Sequence, residues 1–211
     1  MAAEREFKFL VAGAFPDVGR LAERYGTRGL TLSARGIREQ RDVYFDTPEL
    51  SLLQAGVALR QRRFEKQTLA TFKSSGTVHD GLHVRDELEL PHTDPWPAGI
   101  LERLTPLGVV EQLAPLALLS ARRERFLVVK GDKPQAELTF DEVTGVDVTG
   151  VDVTGLAVTG SEEVRFRELE LELFPGTEVD LATLTAPLDL PGLTPHAGDK
   201  LSHTLRLLGR R

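Results

Sequence analysis

The chain has 211 residues, 41% of them hydrophobic and 27% charged, with a formal net charge of -6, the proportions of a globular protein able to bury one sizeable core. The acidic balance excludes a general nucleic-acid binder, which needs a basic excess to neutralise phosphates, so any anion site must be local. The absence of cysteine excludes disulfides, thiolate metal sites and a cysteine nucleophile, and with no apolar signal core and charge in every apolar stretch the sequence predicts a cytoplasmic protein with no membrane partner.

Taken in chain order, period-two alternation predicts a first strand over residues 4–10, then a helix over 17–25 with Asp17 as N-cap. Strands follow at 42–46, 57–63, 69–73 and 83–90, helical turns at 99–104 and 110–113, and strands again at 123–129, 135–141 and 165–173. A last helix is expected over 200–208, before Gly209. There is no alternation of strand and helix of the doubly wound kind, no Gly-x-Gly-x-x-Gly and no P-loop, so nucleotide folds of those types are excluded. From Val143 to Gly160 the chain repeats a Val-Thr-Gly motif every five residues, too short a period for a solenoid, and it is read as an expanded loop within a single domain spanning 1–211. The Pro-rich stretches 91–97 and 187–195 read as connections.

The polar faces of these strands are unusual, because side chains two residues apart share a face. The first strand carries Glu4, Glu6 and Lys8 against Phe7 and Phe9, and the third carries Arg60 and Arg62. Later strands carry Arg85, Glu87 and Glu89, then Arg123 and Arg125, then Glu137 and Asp141, and last Glu168, Glu170 and Glu172 opposite Leu169, Leu171 and Leu173. Like charges then stand roughly 7 Å apart along a strand and need a partner across the sheet or a bound ion. One such strand alone would be a solvated face. Six or so with the same bias predict an α+β fold: a closed antiparallel eight-stranded β-barrel, a tunnel with a charged lumen and helices packed outside. Clustered carboxylates suit Mg²⁺ or Mn²⁺, and paired arginines and lysines suit phosphate oxygens.

These motifs resemble the CYTH superfamily, the triphosphate tunnel metalloenzymes, whose hallmark is an N-terminal Glu-x-Glu-x-Lys strand, here Glu4-Arg5-Glu6-Phe7-Lys8. The match continues through Tyr44-Phe45-Asp46-Thr47-Pro48, Leu59-Arg60-Gln61-Arg62, Thr71-Phe72-Lys73, Arg85-Asp86-Glu87-Leu88-Glu89, Arg123-Glu124-Arg125, Glu137 to Asp141, Glu168 to Glu172 and Lys200. The resemblance implies divalent-metal ligation by Glu4, Glu6, Glu168, Glu170 and Glu172. It implies phosphate binding by Lys8, Arg60, Arg62, Lys73, Lys200 and Arg125, with Arg85 and Arg123 as helpers. Glu87, Glu89, Glu137 and Asp141 would complete the acidic wall and take a second metal or position the attacking water.

The expected activity is metal-dependent hydrolysis of a small-molecule triphosphate, inorganic triphosphate first. The alternatives are a thiamine triphosphatase, a class IV adenylate cyclase, a polyphosphate-binding module without turnover, and a barrel whose internal salt bridges are purely structural. His79, His83, His92, His196 and His203 lack metal-ligand spacing and read as surface or loop residues. Tyr44 and Asp46 are candidates for the lumen wall, although Asp46-Thr47-Pro48 also reads as a turn, and Trp96 reads as a packing anchor. Ser74-Ser75-Gly76 reads as a turn, and no serine nucleophile with a paired histidine is evident.

Overall fold

The computed structural model describes residues 3–94, 96–149 and 162–210. Among these residues ten strands form one antiparallel sheet: β1 (Ala3–Val11), β2 (Thr31–Asp46), β3 (Ala58–Phe64), β4 (Gln67–Lys73), β5 (Thr77–His79), β6 (Leu82–Pro91), β7 (Ala114–Lys130), β8 (Lys133–Asp147), β9 (Glu163–Leu173) and β10 (Leu193–Pro195). Eight of them run in the order β1-β9-β8-β7-β2-β3-β4-β6, and β6 returns to pair with β1 through Ala3 to Phe7, which closes the barrel. The short β5 and β10 add to β6 and β1.

Every predicted strand is present, and β2, β7 and β8 run far beyond the ranges that the sequence pattern suggests. Only Gln40 to Phe45 of β2 pair with β3, whereas the pairing with β7 runs from Thr31 to Asp46. The first half of β2 therefore leaves the barrel as a ribbon wetted on both sides, interrupted by a register shift at Gly36. A strand with no buried face has no alternation to read.

Helices α1 (Val18–Gly26), α2 (Ser51–Gln54), α3 (Ala98–Leu104) and α4 (Leu181–Thr185) lie outside the barrel. Asp17 caps α1 by accepting from Arg20 N at 2.8 Å. Leu21 and Tyr25 of α1 pack against Leu138, Leu169 and Leu171, and Ile100 and Leu104 of α3 pack against Leu59, Ala70 and Phe72. Short α2 escaped the sequence pattern because an acid outside the helix holds its first turn: Asp46 accepts from Leu52 N at 2.8 Å and from Leu53 N at 2.9 Å. Asp46 is thus a structural turn residue, and Trp96 packs edge-on against Phe45. The segment predicted as helix at 110–113 is a single 3-10 turn, Val110–Gln112.

The fifth helix, α5 (Lys200–Leu207), departs from the expected outside position. Its Leu201 and Leu205 join Tyr44, Ala117, Leu119, Ala121 and Val143, residues whose strand parity faces the lumen. The tunnel is therefore stopped at that end by an apolar plug. Gly145 permits the approach, since a Cβ there would stand 2.5 Å from Thr204 Cγ2. This corrects the reading of the repeat: residues 143–147 belong to β8 and carry core contacts. The rest of the repeat, from 150 to 160, lies outside the described residues. No helix among the described residues is long and apolar enough to cross a membrane.

Candidate active site

The barrel encloses a cavity of about 410 Å³ that opens opposite α5. Of the residues named from the sequence, Glu4, Glu6, Lys8, Arg60, Arg62, Lys73, Arg85, Glu87, Glu89, Arg123, Glu137, Glu170, Glu172 and Lys200 line it. Arg125, Asp141 and Glu168 do not. The lining also includes Tyr44 and, unforeseen from the sequence, Arg38 and Asp199.

At the inner end every charge has a partner. Lys200 Nζ lies 2.5 Å from Glu170, 2.9 Å from Glu168 and 3.0 Å from Asp141. Arg123 bridges Asp141 at 2.5 Å and Glu170 at 2.7 Å. Burial opposes charge on all of them, and the ion pairs decide the outcome. Glu170 is held well below the usual carboxylate range by Lys200 and Arg123. Glu168 is pushed up to about 7 by burial and by the charge of Glu170, against the pull of Lys200. Asp141, expected from the sequence in the acidic wall, has no exposed surface, pairs with Arg123 and Lys200, and stands outside the cavity lining. Glu168 is likewise fully buried and stands outside the lining, whereas Glu170 and Glu172 belong to it.

Midway, the two arginines of β3 are set by Asp42, buried on the facing strand β2. Arg62 grips it with two bonds, Nε at 2.8 Å and Nη2 at 2.7 Å, and Arg60 Nη1 lies 3.5 Å away. Although burial raises it, the two guanidinium groups hold the Asp42 carboxyl down at about 2. Across the lumen, Lys73 and Arg85 both bind Glu4 at 2.6 Å, and Arg85 reaches Glu6 at 2.9 Å. Lys8 lies 3.0 Å from Glu6. Against the cost of burial, Lys73 and Arg85 hold Glu4 far below its ordinary value. Glu87 lies 3.2 Å from Lys73 and 3.7 Å from Arg60, yet burial and the nearby Glu4 raise its pKa.

At the mouth the balance changes. Glu89 is exposed and accepts a hydrogen bond from Thr71 at 3.0 Å, with no ion pair to a cation among the described residues. Glu172, also exposed, has no ion pair or hydrogen bond among the described residues, and register sets it beside Glu6 on β1 and Glu137 on β8. Although it reaches solvent, the surrounding wall together with Glu4 and Glu6 pushes it up to about 7. Arg125 pairs with Glu137 at 2.6 Å just outside the lining.

Excess carboxylate with no cation is the condition under which a hard divalent ion fits, because oxygen ligands and negative charge are what it selects. Glu172 is in that state, and Glu6 stands beside it in register but is ion-paired, as is Glu4. Among the described residues no three acids converge tightly enough to hold an ion as they stand, since Glu4 and Glu6 are turned onto Lys73, Arg85 and Lys8. The five histidines form no metal group either. His83 bonds the His196 carbonyl at 2.9 Å and His203 bonds Arg206 at 2.8 Å.

A family model described as the CYTH domain matches residues 2–190, a stretch that ends before α5 and Lys200. Among solved structures, the chain resembles a candidate adenylate cyclase from Bacillus halodurans, at 18% identity and a TM-score of 0.58, over 96% of this chain and 97% of that one. It also resembles a candidate adenylyl cyclase from Hippeastrum with a dominant triphosphatase activity, at 16% identity and a TM-score of 0.54, over 99% and 97% of the two chains. A protein from Pyrococcus horikoshii OT3 aligns at 17% identity and a TM-score of 0.50, over 97% and 99%. At these identities the likeness is one of fold. No curated protein sequence matches the chain.

Proposed function

The chain belongs to the CYTH domain family, and from that premise we propose that it is a divalent-metal-dependent triphosphatase whose first substrate is inorganic triphosphate. The observation that carries the proposal is the pairing of two unlike walls in one closed-ended cavity, acids of β1 and β9 facing cations of β3, β4 and β7. A passive anion trap gains little from carboxylates beside its arginines, and a purely structural barrel would not leave Glu172 and Glu89 without cations. The triphosphatase activity of the Hippeastrum neighbour supports the same reading.

In this reading Arg60 and Arg62 take phosphoryl oxygens through planar two-point contacts, and Asp42 fixes their orientation before substrate arrives. Lys8, Lys73, Arg85, Arg123 and Lys200 exchange part of their carboxylate pairing for phosphate, so the resting ion pairs keep them in place. Glu172, Glu4 and Glu6 would hold Mg²⁺ or Mn²⁺, which when bound supplies charge neutralisation at the phosphoryl oxygens. Glu170 would assist from beside Lys200. Glu87 and Glu89 accept hydrogen bonds from the attacking water and aim it in line, and Glu137, beside Glu172 in register, completes the acidic wall. Charge developing on the leaving pyrophosphate falls against the arginines, where fixed donors in a dry site stabilise it most.

Phosphate release and cyclic AMP formation measured on inorganic triphosphate, ATP and thiamine triphosphate, with and without Mg²⁺ or Mn²⁺, test the proposal. It expects metal-dependent phosphate release, greatest on inorganic triphosphate, and no cyclic AMP. Cyclic AMP as the main product of ATP, or binding without turnover of any of the three, would overturn it.

A further inference from the structure

Among the described residues, the cations that line the cavity are ion-paired in the resting protein, with one exception. Lys8, Arg60, Arg62, Lys73, Arg85, Arg123 and Lys200 each stand within 4.0 Å of a carboxylate oxygen. Arg38 also lines the cavity, but it makes no ion pair or hydrogen bond among the described residues. It is half-buried where β2 leaves the barrel, in register with Arg123 of β7. Its guanidinium lies 4.3 Å over the ring of Phe64, the last residue of β3. The ring covers one face of the group and leaves the N–H donors along its edge free.

The surroundings make this a positive spot. Burial lowers the Arg38 pKa, and the nearby Arg125, Arg123 and Arg62 lower it further, with Glu137 opposing them. The group stays a cation at neutral pH, since an arginine does not lose its proton in a protein. Leaving such a charge without a partner beside three other guanidinium groups is unfavourable unless an anion visits the spot.

The closed inner end fixes which part of a substrate would come here. With α5 filling that end, any organic group on a triphosphate must point out of the mouth, past Arg38. There the two substrate classes differ in charge. The terminal phosphoryl group of inorganic triphosphate carries two ionisable oxygens, whereas an esterified phosphoryl group carries one and a bulky substituent. A flat guanidinium with free edge donors favours the first, because two parallel charge-assisted bonds need two accepting oxygens.

We infer that Arg38, seated on Phe64 at the open mouth, is the residue that selects inorganic triphosphate over triphosphates esterified at the outer end. This rests on the proposed triphosphate site and adds to it the basis of substrate choice.

The test compares kcat/KM on inorganic triphosphate and on ATP for the parent, Arg38→Ala, Arg38→Lys and Phe64→Leu. Calorimetric binding of both compounds in metal-free buffer accompanies the rates. Arg38→Ala should lower kcat/KM on triphosphate by about tenfold to a hundredfold and change that on ATP by less than about threefold. Arg38→Lys should recover part of the loss, and Phe64→Leu should show a smaller loss in the same direction. A general structural role would lower both substrates together and leave their ratio fixed. Equal losses on the two substrates, or none, overturn the inference. If the parent hydrolyses neither compound, the hydrolase reading fails separately, and calorimetry still decides: affinity lost for triphosphate and not for ATP upholds the role of Arg38, and any other pattern overturns it.

Discussion

The inner end and the mouth of this barrel hold charges of the same kinds in opposite states. At the inner end Lys200 and Arg123 share Asp141, Glu168 and Glu170 in one buried network, and each cation lies within 3.0 Å of its acids. At the mouth, among the described residues, Glu172 and Glu89 make no ion pair with a cation and Arg38 makes none with an acid. A buried ion pair that is satisfied fixes geometry, and breaking it leaves an uncompensated charge. A charge left without a partner at an opening is instead ready for a ligand. In the proposed reading the inner pairs hold their side chains in place until phosphate replaces part of them, and the outer charges are the ones that meet a ligand unpaired.

The largest expected effect comes from breaking the inner network. Lys200→Ala leaves Asp141 and Glu170 on Arg123 and takes from Glu168 its one ion pair among the described residues, and should destabilise the protein by about 3–5 kcal/mol in urea unfolding. A loss below about 1 kcal/mol would mean that water, not Lys200, compensates these acids. The contrast between the walls comes next. Glu6→Gln should reduce hydrolysis by about tenfold or more at low metal and be partly recovered by excess Mn²⁺. Arg62→Ala should cost about a hundredfold and show no recovery with metal, and Lys at that position should restore only part of the rate. Identical responses of the two variants to Mn²⁺ would erase the division between acidic and basic walls.

A smaller effect is read from pH. Glu168 and Glu172 each sit at about 7 in the folded protein against 4.5 ordinarily, so between these values the folded state binds more protons than the unfolded one. Stability from these two groups is then fully present below about pH 4.5, declines as pH climbs to about 7, and levels off above that. Glu172→Gln should flatten the mouth's share of the slope of Tm against pH and leave the share of Glu168. An unchanged slope would show that Glu172 titrates normally. The smallest effect is expected from replacing residues 150–161 by a tight turn, which keeps Val143 and Gly145 of β8 in place. Tm should change by no more than about 2 °C, and loss of folded protein would give the repeat a structural role.

Strand parity made most of this site legible. Glu4, Glu6 and Lys8, or Glu168, Glu170 and Glu172, fall on one face because the period of a strand is two. Asp42 shares a face with Tyr44 in a strand that was readable, and its role was missed because a single acid there makes no pattern. Arg38 and Phe64 lay beyond legibility, since the outer half of β2 has no buried face and Phe64 ends β3 past the last alternating residue. The closed inner end left a trace along β7. Ala117, Leu119 and Ala121 are apolar on the face that carries Arg123 and Arg125, and Leu201 and Leu205 of α5 pack on that apolar stretch. Which acids pair with which cations depends on distances across the lumen, which no strand encodes alone.

The most direct test of the division between the two ends is a comparison of Glu172→Gln with Glu168→Gln, two changes of the same chemistry on one strand. Phosphate release from inorganic triphosphate would be measured against Mn²⁺ concentration alongside Tm for each protein. Glu172→Gln should keep its fold and need several-fold more Mn²⁺ to reach half its maximal rate, while Glu168→Gln should keep the parent's metal response and shift Tm. A normal metal response in Glu172→Gln together with a weakened one in Glu168→Gln would contradict the account.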